Sequence, residues 1–303
     1  MTPTGQAHRA PQRTGPLPAT PAAGSRCHPV EILPGVPVLE VAVPVHNAEQ
    51  SLEAALRRLH RHLGSAFPHS FRITVADNAS TDGTWRIAER IARDLRDVTV
   101  VRLGEAGRGN ALRTVWLASP SPVLAYLDLD LEPSALDPLL APLLTGQADV
   151  ATGARRGNPA SGPLRRRFLP RCLSLMLRSV SGARFSDPQC GAKAIRSEAA
   201  RRLLPHTANR SWFFDTELLV LANTCGLRVL EAPVEWTDAS DSNVDYSRTA
   251  LAYLRDAGRL RRDLRSGRIP VPAVRASLAC GSGPYLGHEI HHHHPGQRQQ
   301  GRH

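Results

Sequence analysis

Tyr126-Leu127-Asp128-Leu129-Asp130-Leu131-Glu132-Pro133 is the stretch that decides the fold, because it ends an apolar run with three acids at alternate positions. The apolar run, 122–127, has the length and composition of a buried strand, and open α/β sheets bind ligands at the carboxyl ends of their strands. Alternate residues of an extended segment point the same way, so Asp128, Asp130 and Glu132 are expected to converge on one cation. Their oxygens suit a hard ion such as Mg²⁺. Taken alone, such a triplet is more often an acidic turn than a metal site, so the other motifs of the chain are needed to distinguish the two.

Strands and helices alternate on both sides of this stretch. Strands are predicted at 38–45, 71–76, 98–103, 123–127 and 149–153, and helices at 48–63, 84–95, 110–118 and 134–144. Strict alternation predicts an α/β fold with a mostly parallel sheet and helices on both faces. The alternation loosens beyond residue 153. There the pattern predicts helices at 164–180, 197–204, 216–225 and 249–264, and short strands at 193–195 and 227–230. The first and last of these helices are basic and amphipathic.

Length and composition are those of a globular domain with flexible ends. The chain has 303 residues, of which 41% are hydrophobic and 21% are charged. We predict a disordered leader at 1–35, one domain at 36–268 and a flexible tail at 269–303. No apolar run approaches the ~18–20 residues that span a bilayer, and the N-terminal part does not resemble a signal peptide, so a cytoplasmic location is expected. The five cysteines are scattered, which argues against both a disulfide framework and a zinc site.

The positive charge is concentrated in two segments. The net charge is +11 at pH 7, and Lys193 is the only lysine. Residues 155–184 contain eight arginines and no acid, and residues 248–268 contain seven arginines against two aspartates. This distribution predicts two basic patches that meet an anion. Nucleic acid is not the expected partner, since aromatic residues, which stack on bases, make up only 5% of the chain.

Polar residues also follow the first two predicted strands. His46 and Asn47 end the first strand, and Asp77 ends the second. The segment 77–84 is either a simple strand-to-helix turn or a site at which Asp77 accepts hydrogen bonds from a nucleobase or ribose. Gly107-Arg108-Gly109-Asn110 adds a small loop at a helix start, which suits a phosphate.

The motifs occur in a recognisable order. They are Val43-Pro44-Val45-His46-Asn47, Asp77-Asn78-Ala79-Ser80-Thr81-Asp82-Gly83-Thr84, Gly107-Arg108-Gly109-Asn110-Ala111, Asp128-Leu129-Asp130-Leu131 and Gly153-Ala154-Arg155. In this order and spacing the chain resembles the family 2 glycosyltransferases of the GT-A fold, which is Rossmann-like. Three later motifs are Asp187-Pro188-Gln189-Cys190-Gly191-Ala192-Lys193, Trp212-Phe213-Phe214-Asp215-Thr216-Glu217-Leu218-Leu219 and Ala232-Pro233-Val234-Glu235-Trp236-Thr237. They resemble the dolichyl-phosphate glucosyltransferases and the bacterial polyprenyl-phosphate glycosyltransferases. The resemblance covers about residues 36–265.

The resemblance implies a role for each part of the site. It implies that the nucleotide sugar is bound by Pro44, His46, Asn47, Asp77, Arg108 and Asp128. It implies that Mg²⁺ or Mn²⁺ is held by Asp128, Asp130 and Glu132, and that the acceptor phosphate is bound by Arg155, Arg165, Arg166, Arg167 and Lys193. The catalytic residues would be Asp128, Asp130 and Arg155. The chain departs from the family pattern at His46, where Tyr is usual, at Ala48, where an acid is common, and at Asn243, where relatives have Lys or Arg.

These expectations lead to one main interpretation and two alternatives. The main one is an inverting enzyme that moves a hexose to a polyprenyl or dolichyl phosphate at the inner membrane face. UDP-glucose is the favoured donor, with GDP-mannose or a UDP-N-acetylhexosamine as alternatives. A phosphate acceptor needs no catalytic base, because its second pKa is about 6. The helix at 164–180 would then lie among anionic headgroups or pack on the core, and a separate membrane-protein partner is compatible with the lack of a spanning segment.

The first alternative is the same fold with a soluble or polysaccharide acceptor, for which Asp215 or Glu217 would be the base. Both residues could equally cap and charge the start of the helix at 216–225. The second alternative is an inactive protein that binds anionic surfaces or nucleic acid.

Overall fold

One sheet organises the part of the protein that its computed structural model describes, which is residues 28–155, 185–235 and 246–280. Its seven strands have the order β3-β2-β1-β4-β6-β5-β7. They are β1 (Leu39–Val45), β2 (Phe71–Asn78), β3 (Val98–Leu103), β4 (Val123–Leu127), β5 (Val150–Arg155), β6 (Ala192–Arg196) and β7 (Val229–Val234). All pairs are parallel except those of β6, which is antiparallel to both β4 and β5. The predicted mostly parallel α/β sheet is therefore confirmed.

Helices cover both faces of this sheet. They are α1 (Leu52–Ala66), α2 (Thr84–Asp94), α3 (Arg108–Ala118), α4 (Asp137–Leu144), α5 (Ser197–Leu203), α6 (Phe214–Thr224), α7 (Tyr246–Arg265) and α8 (Val271–Cys280). Apolar side chains of α1, α2 and α4 form one core cluster with one face of the strands, and those of α3, α5, α6, α7 and α8 form a second cluster with the other face. Alternate residues of β1 divide between the clusters, as the pleat of a strand requires.

The strand directions bring several chain segments to one edge of the sheet. Val45 at the end of β1 pairs in register with Asp77, and β4 ends at Leu127, directly before Asp128. Because β6 is antiparallel to both neighbours, β5 runs in the same direction as β4 and ends with Arg155 at the same edge. This edge carries the candidate site.

The C-terminal boundary that we predicted is wrong. Residues 269–280 were expected to belong to a flexible tail, but α8 occupies most of them, and its Val274 is buried. The Arg202 guanidinium donates to the Ser277 carbonyl at 2.8 Å, and the Arg275 Nε donates to the Thr224 carbonyl at 3.1 Å. Local sequence signals for this helix are weak, because its apolar residues do not lie along one side of it.

Other predicted segments are described only in part. The expected leader at 1–35 is described from residue 28, where the Val30 N–H donates to the Leu144 carbonyl at 3.0 Å. The expected helix at 164–180 and residues 281–303 lie outside the described residues. Among the helices in the described ranges, none combines the length and the apolar character needed to cross a bilayer.

The packing of α8 can be tested with two substitutions on the same helix. Val274→Asp places a carboxylate in the core and is expected to lower the free energy of unfolding by about 3 kcal/mol. Ala276→Asp, at an exposed position, is expected to cost less than about 1 kcal/mol. Thermal unfolding followed by circular dichroism compares the two variants, and equal midpoints would contradict the packed position of α8.

Candidate active site

Asp128 lies at the centre of the candidate site, directly after β4. Its backbone N–H donates to the Gly191 carbonyl at 2.9 Å, which ties the end of β4 to the segment that enters β6. A Cβ at residue 191 would lie 2.2 Å from Asp128 Oδ2 and 2.9 Å from Asp128 Cβ. Only glycine therefore lets the two segments approach this closely, and Gly191 fixes where the Asp128 carboxylate lies.

The acid triplet does not have the extended geometry that we expected. The Leu131 N–H donates to the Asp128 carbonyl at 3.1 Å, so the chain turns directly after the strand. Asp130 and Glu132 are exposed, whereas the Asp128 side chain keeps 27% of its accessible surface. No group of three or more acidic, histidine or cysteine side chains in the described ranges is arranged to hold a metal ion. The turn breaks the alternation on which the predicted convergence of Asp128, Asp130 and Glu132 rested, so that convergence is not found.

Two of these carboxylates still suit a divalent cation. Mg²⁺ is commonly held by one or two carboxylates together with substrate phosphates and water. Asp128 and Asp130 are close enough to influence each other's charge. Burial raises the pKa of Asp128 to about 6, Arg108 opposes this shift, and Asp130 and Asp215 add to it. A carboxylate with a raised pKa lacks sufficient positive charge around it, which a bound cation would supply.

Arg108, the first residue of α3, supplies a positive charge next to Asp128. Its guanidinium forms an ion pair with Asp128, and its Nε lies 3.5 Å from Asp215 Oδ2. The guanidinium carbon is 5.0 Å from the ring centre of Tyr126 and 5.0 Å from that of Trp212. Burial alone would lower the pKa of Arg108, but the carboxylates of Asp128 and Asp215 raise it above its ordinary value. Arg108 is thus a permanent cation held by aromatic rings and carboxylates.

The glycines beside Arg108 serve close packing. A Cβ at Gly107 would lie 2.4 Å from the Arg210 carbonyl oxygen, and a Cβ at Gly109 would lie 2.7 Å from Phe214 Cβ. We expected this loop to be a phosphate cradle. In the structure the two glycines allow the start of α3 to lie against the segment 209–214, which carries Trp212 and leads into α6.

Asp215 is a fully buried carboxylate with cationic and hydroxyl partners. Its Oδ1 accepts a hydrogen bond from the Tyr126 hydroxyl and lies 3.3 Å from Lys193 Nζ. Burial and Asp215 raise the pKa of Tyr126, so this hydroxyl stays protonated and donates. Lys193 also donates to the Cys190 carbonyl at 2.7 Å. Ion pairing of this kind is what allows charged groups to remain buried.

The surroundings of Lys193 differ from those that we predicted. We expected its ammonium to bind the acceptor phosphate, but the side chain is only 1% exposed and its donors face Asp215, Tyr126 and Cys190. The position of Lys193 on β6, which lies between two strands, explains this burial. Lys193 is therefore a structural cation that holds Asp215.

Glu217 shapes the loop before α6. Its carboxylate accepts hydrogen bonds from the backbone N–H groups of Ala208 at 3.0 Å and Asn209 at 2.7 Å, and it forms an ion pair with Arg259 at 3.1 Å. Burial raises the pKa of Glu217. Asp215 and Glu217 both lie in the first turn of α6, but no side chain caps this helix. The capping role that we considered for them is therefore not found.

The loops after β1 and β2 are joined beside Asp77. The Asn47 N–H donates to Ser80 Oγ at 3.0 Å, and Asn47 Oδ1 accepts from the Thr81 N–H at 2.8 Å. His46 Nδ1 lies 2.8 Å from the Asn78 carbonyl oxygen. Asn47 has φ 50°, a left-handed conformation that asparagine tolerates. Both loops are therefore held in place at the edge where Pro44 and β1 end.

Asp77 has one satisfied and one unsatisfied oxygen. The carboxylate is fully buried, and its Oδ1 accepts from the Ser80 N–H at 3.1 Å. Within the described residues Oδ2 has no hydrogen-bond donor, and the nearest cation is Arg102 Nε at 3.6 Å. Buried acceptors are normally satisfied, so an unsatisfied one at a sheet edge suits a ligand N–H or O–H.

The structure also joins residues that the sequence did not single out. Gln189 donates to Thr216 Oγ1 at 2.8 Å and accepts from the Tyr253 hydroxyl at 2.6 Å. These bonds connect the segment before β6 to α6 and α7. Trp212 is 58% exposed beside Arg108. The signal available in the sequence was only that these polar and aromatic residues lie in the motifs at 187–193 and 212–219; their mutual contacts are long-range.

The predicted site residues thus fall into three groups. Arg108 and Asp128 form an ion pair, with Asp130 in the adjacent turn, while Pro44, His46, Asn47 and Asp77 lie around the ends of β1 and β2. Arg155 ends β5, but its side chain lies outside the described residues, as do Arg165, Arg166 and Arg167. For those four arginines the acceptor-phosphate role stays a prediction.

Comparisons with known proteins agree with this arrangement. The model of the family described as glycosyl transferase family 2 matches residues 40–204, more than half of the chain. Glycosyltransferase AglD of Haloferax volcanii is 33% identical over 219 residues, which cover 70% of this chain and 35% of AglD. Dolichyl-phosphate beta-glucosyltransferase ALG5C of Trichomonas vaginalis is 28% identical over 220 residues, which cover 68% of this chain and 65% of that protein. The chain therefore spans about a third of the length of AglD and about two thirds of the length of ALG5C.

Solved structures show the same fold at lower identity. Glucosyl-3-phosphoglycerate synthase from Mycobacterium tuberculosis, in complex with Mg²⁺ and uridine diphosphate, superimposes with a TM-score of 0.58 at 21% identity, covering 74% of this chain and 79% of that one. Its complex with Mn²⁺, uridine diphosphate and glucosyl-3-phosphoglycerate gives a TM-score of 0.55 at 20% identity, covering 77% and 88%. With the sheet order, the edge site and the family match together, the chain belongs to glycosyl transferase family 2.

Proposed function

We propose that this protein is a glycosyltransferase that moves a hexose from a nucleotide diphosphate sugar, with UDP-glucose favoured, to a polyprenyl or dolichyl phosphate, with inversion at the sugar carbon. The observation that carries the proposal is the Asp128–Arg108–Asp215 cluster at the carboxyl edge of the sheet. Asp128, together with Asp130 in the adjacent turn, is accessible to a donor from solvent, whereas the Asp215 carboxylate is buried. The names of relatives such as ALG5C support the class of acceptor.

The edge around Asp77 suits the nucleoside of the donor. Asp77 Oδ2 is a buried acceptor without a hydrogen bond in the described ranges, and a pyrimidine N–H would satisfy it. The joined loops after β1 and β2 keep Pro44, His46 and Asn47 beside this oxygen. UDP in the solved relatives favours uracil as the base.

The diphosphate would lie at the other end of the donor, near Asp128. Asp128 and Asp130 would hold Mg²⁺ or Mn²⁺, with exposed Glu132 reaching it through water. The bound cation would neutralise the charge that develops on the leaving diphosphate. Arg108 supplies a second, protein-borne positive charge at the same place.

The contacts of Asp215 favour a phosphate acceptor over a sugar hydroxyl. A hydroxyl acceptor needs a base with an available oxygen, but Asp215 Oδ1 is held by Tyr126 and Lys193, and its Oδ2 faces Arg108. The Glu217 carboxylate already accepts hydrogen bonds from two backbone N–H groups and forms an ion pair with Arg259. A phosphate monoester is already a nucleophile at neutral pH and requires cations to position it. Arg155, at the end of β5, and Arg165, Arg166 and Arg167 are proposed for that task.

A lipid acceptor implies contact with a membrane. On α7, Leu251 is 71% exposed and Leu254 is 55% exposed, one helical turn apart, with exposed arginines at 255, 261 and 262. Apolar and basic side chains on one helix are typical of peripheral binding to anionic lipid. We therefore propose peripheral attachment at the cytoplasmic face of the inner membrane, with a separate membrane-protein partner as an optional component.

A transfer assay tests the proposed donor and acceptor. Radiolabelled UDP-glucose, GDP-mannose and UDP-N-acetylglucosamine are each offered with a polyprenyl phosphate and Mg²⁺ or Mn²⁺, and the lipid is extracted with organic solvent. Label from UDP-glucose is expected in the lipid phase and is expected to disappear with EDTA. Failure of every donor to label the lipid would overturn the proposal, and labelling of a soluble phosphorylated or sugar acceptor instead would support the alternative acceptor class.

Asp130→Asn tests the proposed metal ligand. It is expected to lower the transfer rate by about two to three orders of magnitude, because a hard-cation ligand is lost. Since Asp130 is exposed, the thermal midpoint is expected to stay the same. Glu132→Gln is the matched control, since a residue that acts through water tolerates an amide. An equally severe effect of both substitutions would contradict the different roles proposed for Asp130 and Glu132.

Gly191→Ala tests the positioning of Asp128. The added Cβ would displace the Asp128 carboxylate, and a shift of about 1 Å is expected to lower transfer roughly 100-fold. Gly64→Ala, in α1 with open space around it, is the control and is expected to leave transfer unchanged. Steady-state rates of the two purified variants make the comparison. Wild-type transfer by Gly191→Ala would show that the position of Asp128 is not critical.

A further inference from the structure

Two buried polar atoms beside the proposed metal site face each other without forming a hydrogen bond. Arg108 Nε and Asp215 Oδ2 both lack a hydrogen-bond partner within the described residues, and they are 3.5 Å apart. An unsatisfied buried donor or acceptor is costly, so a protein rarely keeps two adjacent ones without a reason. A shift of about half an ångström of the guanidinium would bring the pair to ordinary hydrogen-bond length.

The contact between Arg108 and Asp128 explains why the pair stays apart. A terminal nitrogen of Arg108 is bound to Asp128 Oδ2, which holds the guanidinium towards the site. Arg108 therefore has two carboxylates within reach and is fully bonded to only one. The rings of Tyr126 and Trp212 contact the guanidinium and favour its charge in either position.

Asp215 is fixed in an orientation that can receive Arg108. Its Oδ1 is held by the Tyr126 hydroxyl and by Lys193 Nζ at 3.3 Å, and Lys193 is itself anchored to the Cys190 carbonyl at 2.7 Å. With Oδ1 engaged, Oδ2 is left towards Arg108. The receiving group is thus already in place before any ligand arrives.

A divalent cation at Asp128 would meet Arg108 as a competitor. Both are positive and both require Asp128 oxygens, and like charges at such short range repel strongly in a partly buried site. The cation can bind well only if the guanidinium withdraws, and the unsatisfied Asp215 Oδ2 is the group that can accept it.

We propose that the Arg108 guanidinium pairs with the Asp128 carboxylate while the site has no metal ion, and that it moves to Asp215 when Mg²⁺ or Mn²⁺ binds. Asp215 is then a positioning residue of the metal site. This inference rests on the proposed function, since it concerns the same cation. Arg108 neutralises Asp128 in the first state. In the second state its Nε pairs with Asp215, and its terminal nitrogens are free for the donor diphosphate.

Mn²⁺ binding to the full-length protein, measured by electron paramagnetic resonance without nucleotide, tests the proposal without a transfer step. Arg108→Met removes the competitor and is expected to tighten Mn²⁺ binding roughly tenfold. Asp215→Asn removes the receiving carboxylate and is expected to weaken binding by about fivefold or more, although Asp215 does not touch the ion.

The double variant separates this mechanism from simple electrostatics. If Asp215 acts through Arg108, Asp215→Asn in the Arg108→Met background should change the Mn²⁺ affinity less than about twofold. An equal effect of Asp215→Asn in both backgrounds would overturn the proposal, because the loss of charge alone would then account for it. Asp149→Asn, a buried carboxylate paired with Arg228 before β5, is the control and is expected to leave the Mn²⁺ affinity unchanged.

Crystal structures of the wild-type protein with and without Mn²⁺ and UDP give a readout that does not depend on the folding of variants. The expected result is an Arg108 Nε–Asp215 Oδ2 distance that falls from 3.5 Å to about 3 Å when the ion is present. Arg108 still bound to Asp128 beside a bound Mn²⁺ would overturn the inference, whatever the transfer assay shows. Absence of lipid transfer with the Arg108 movement intact would overturn the proposed function alone.

Discussion

The burial of Asp215 is the constraint on which the arrangement of the site depends. A carboxylate with no exposed surface is stable only when cations and donors surround it, and Lys193, Tyr126 and Arg108 do so in this protein. These partners come from β6, β4 and α3, so one carboxylate on α6 connects four elements. The same contacts that allow the charge to be buried also bring Arg108 to Asp128. Stability of the core and geometry of the site are therefore properties of one cluster.

Much of the fold could be predicted from the sequence because its signals are local. The apolar strand at 123–127 and the helix at 84–94 are visible as short periodic patterns, and alternation of such segments determines a parallel sheet. The helix α8 escapes sequence-based prediction because it gains its stability from long-range contacts, such as those of Val274 with the core. The predicted start of α1 at residue 48 is too early, because residues 49–51 form a turn and the helix begins at Leu52.

The candidate site was predictable in its residue types and less so in its geometry. Asp77, Arg108 and Asp128 are identifiable because polar residues directly follow buried strands or begin a helix. The predicted convergence of the acid triplet fails because a turn starts at Asp128, and periodicity does not specify where an extended segment bends. From the sequence alone, the single lysine of the motif at 187–193 was expected to bind the acceptor phosphate. Lys193 is buried because β6 lies between two other strands, which the sequence does not show. Such facts belong to the tertiary structure.

The antiparallel strand β6 also sets the width of the site. It separates β4, which ends at Asp128, from β5, which ends at Arg155, so the two strand ends are two inter-strand spacings apart, or roughly 10 Å. That distance defines an interval between the two strand ends. Because β6 runs the other way, its entry segment brings Gln189 and Gly191 into this interval. A single reversed strand thereby sets both the separation of the two strand ends and the residues that lie between them.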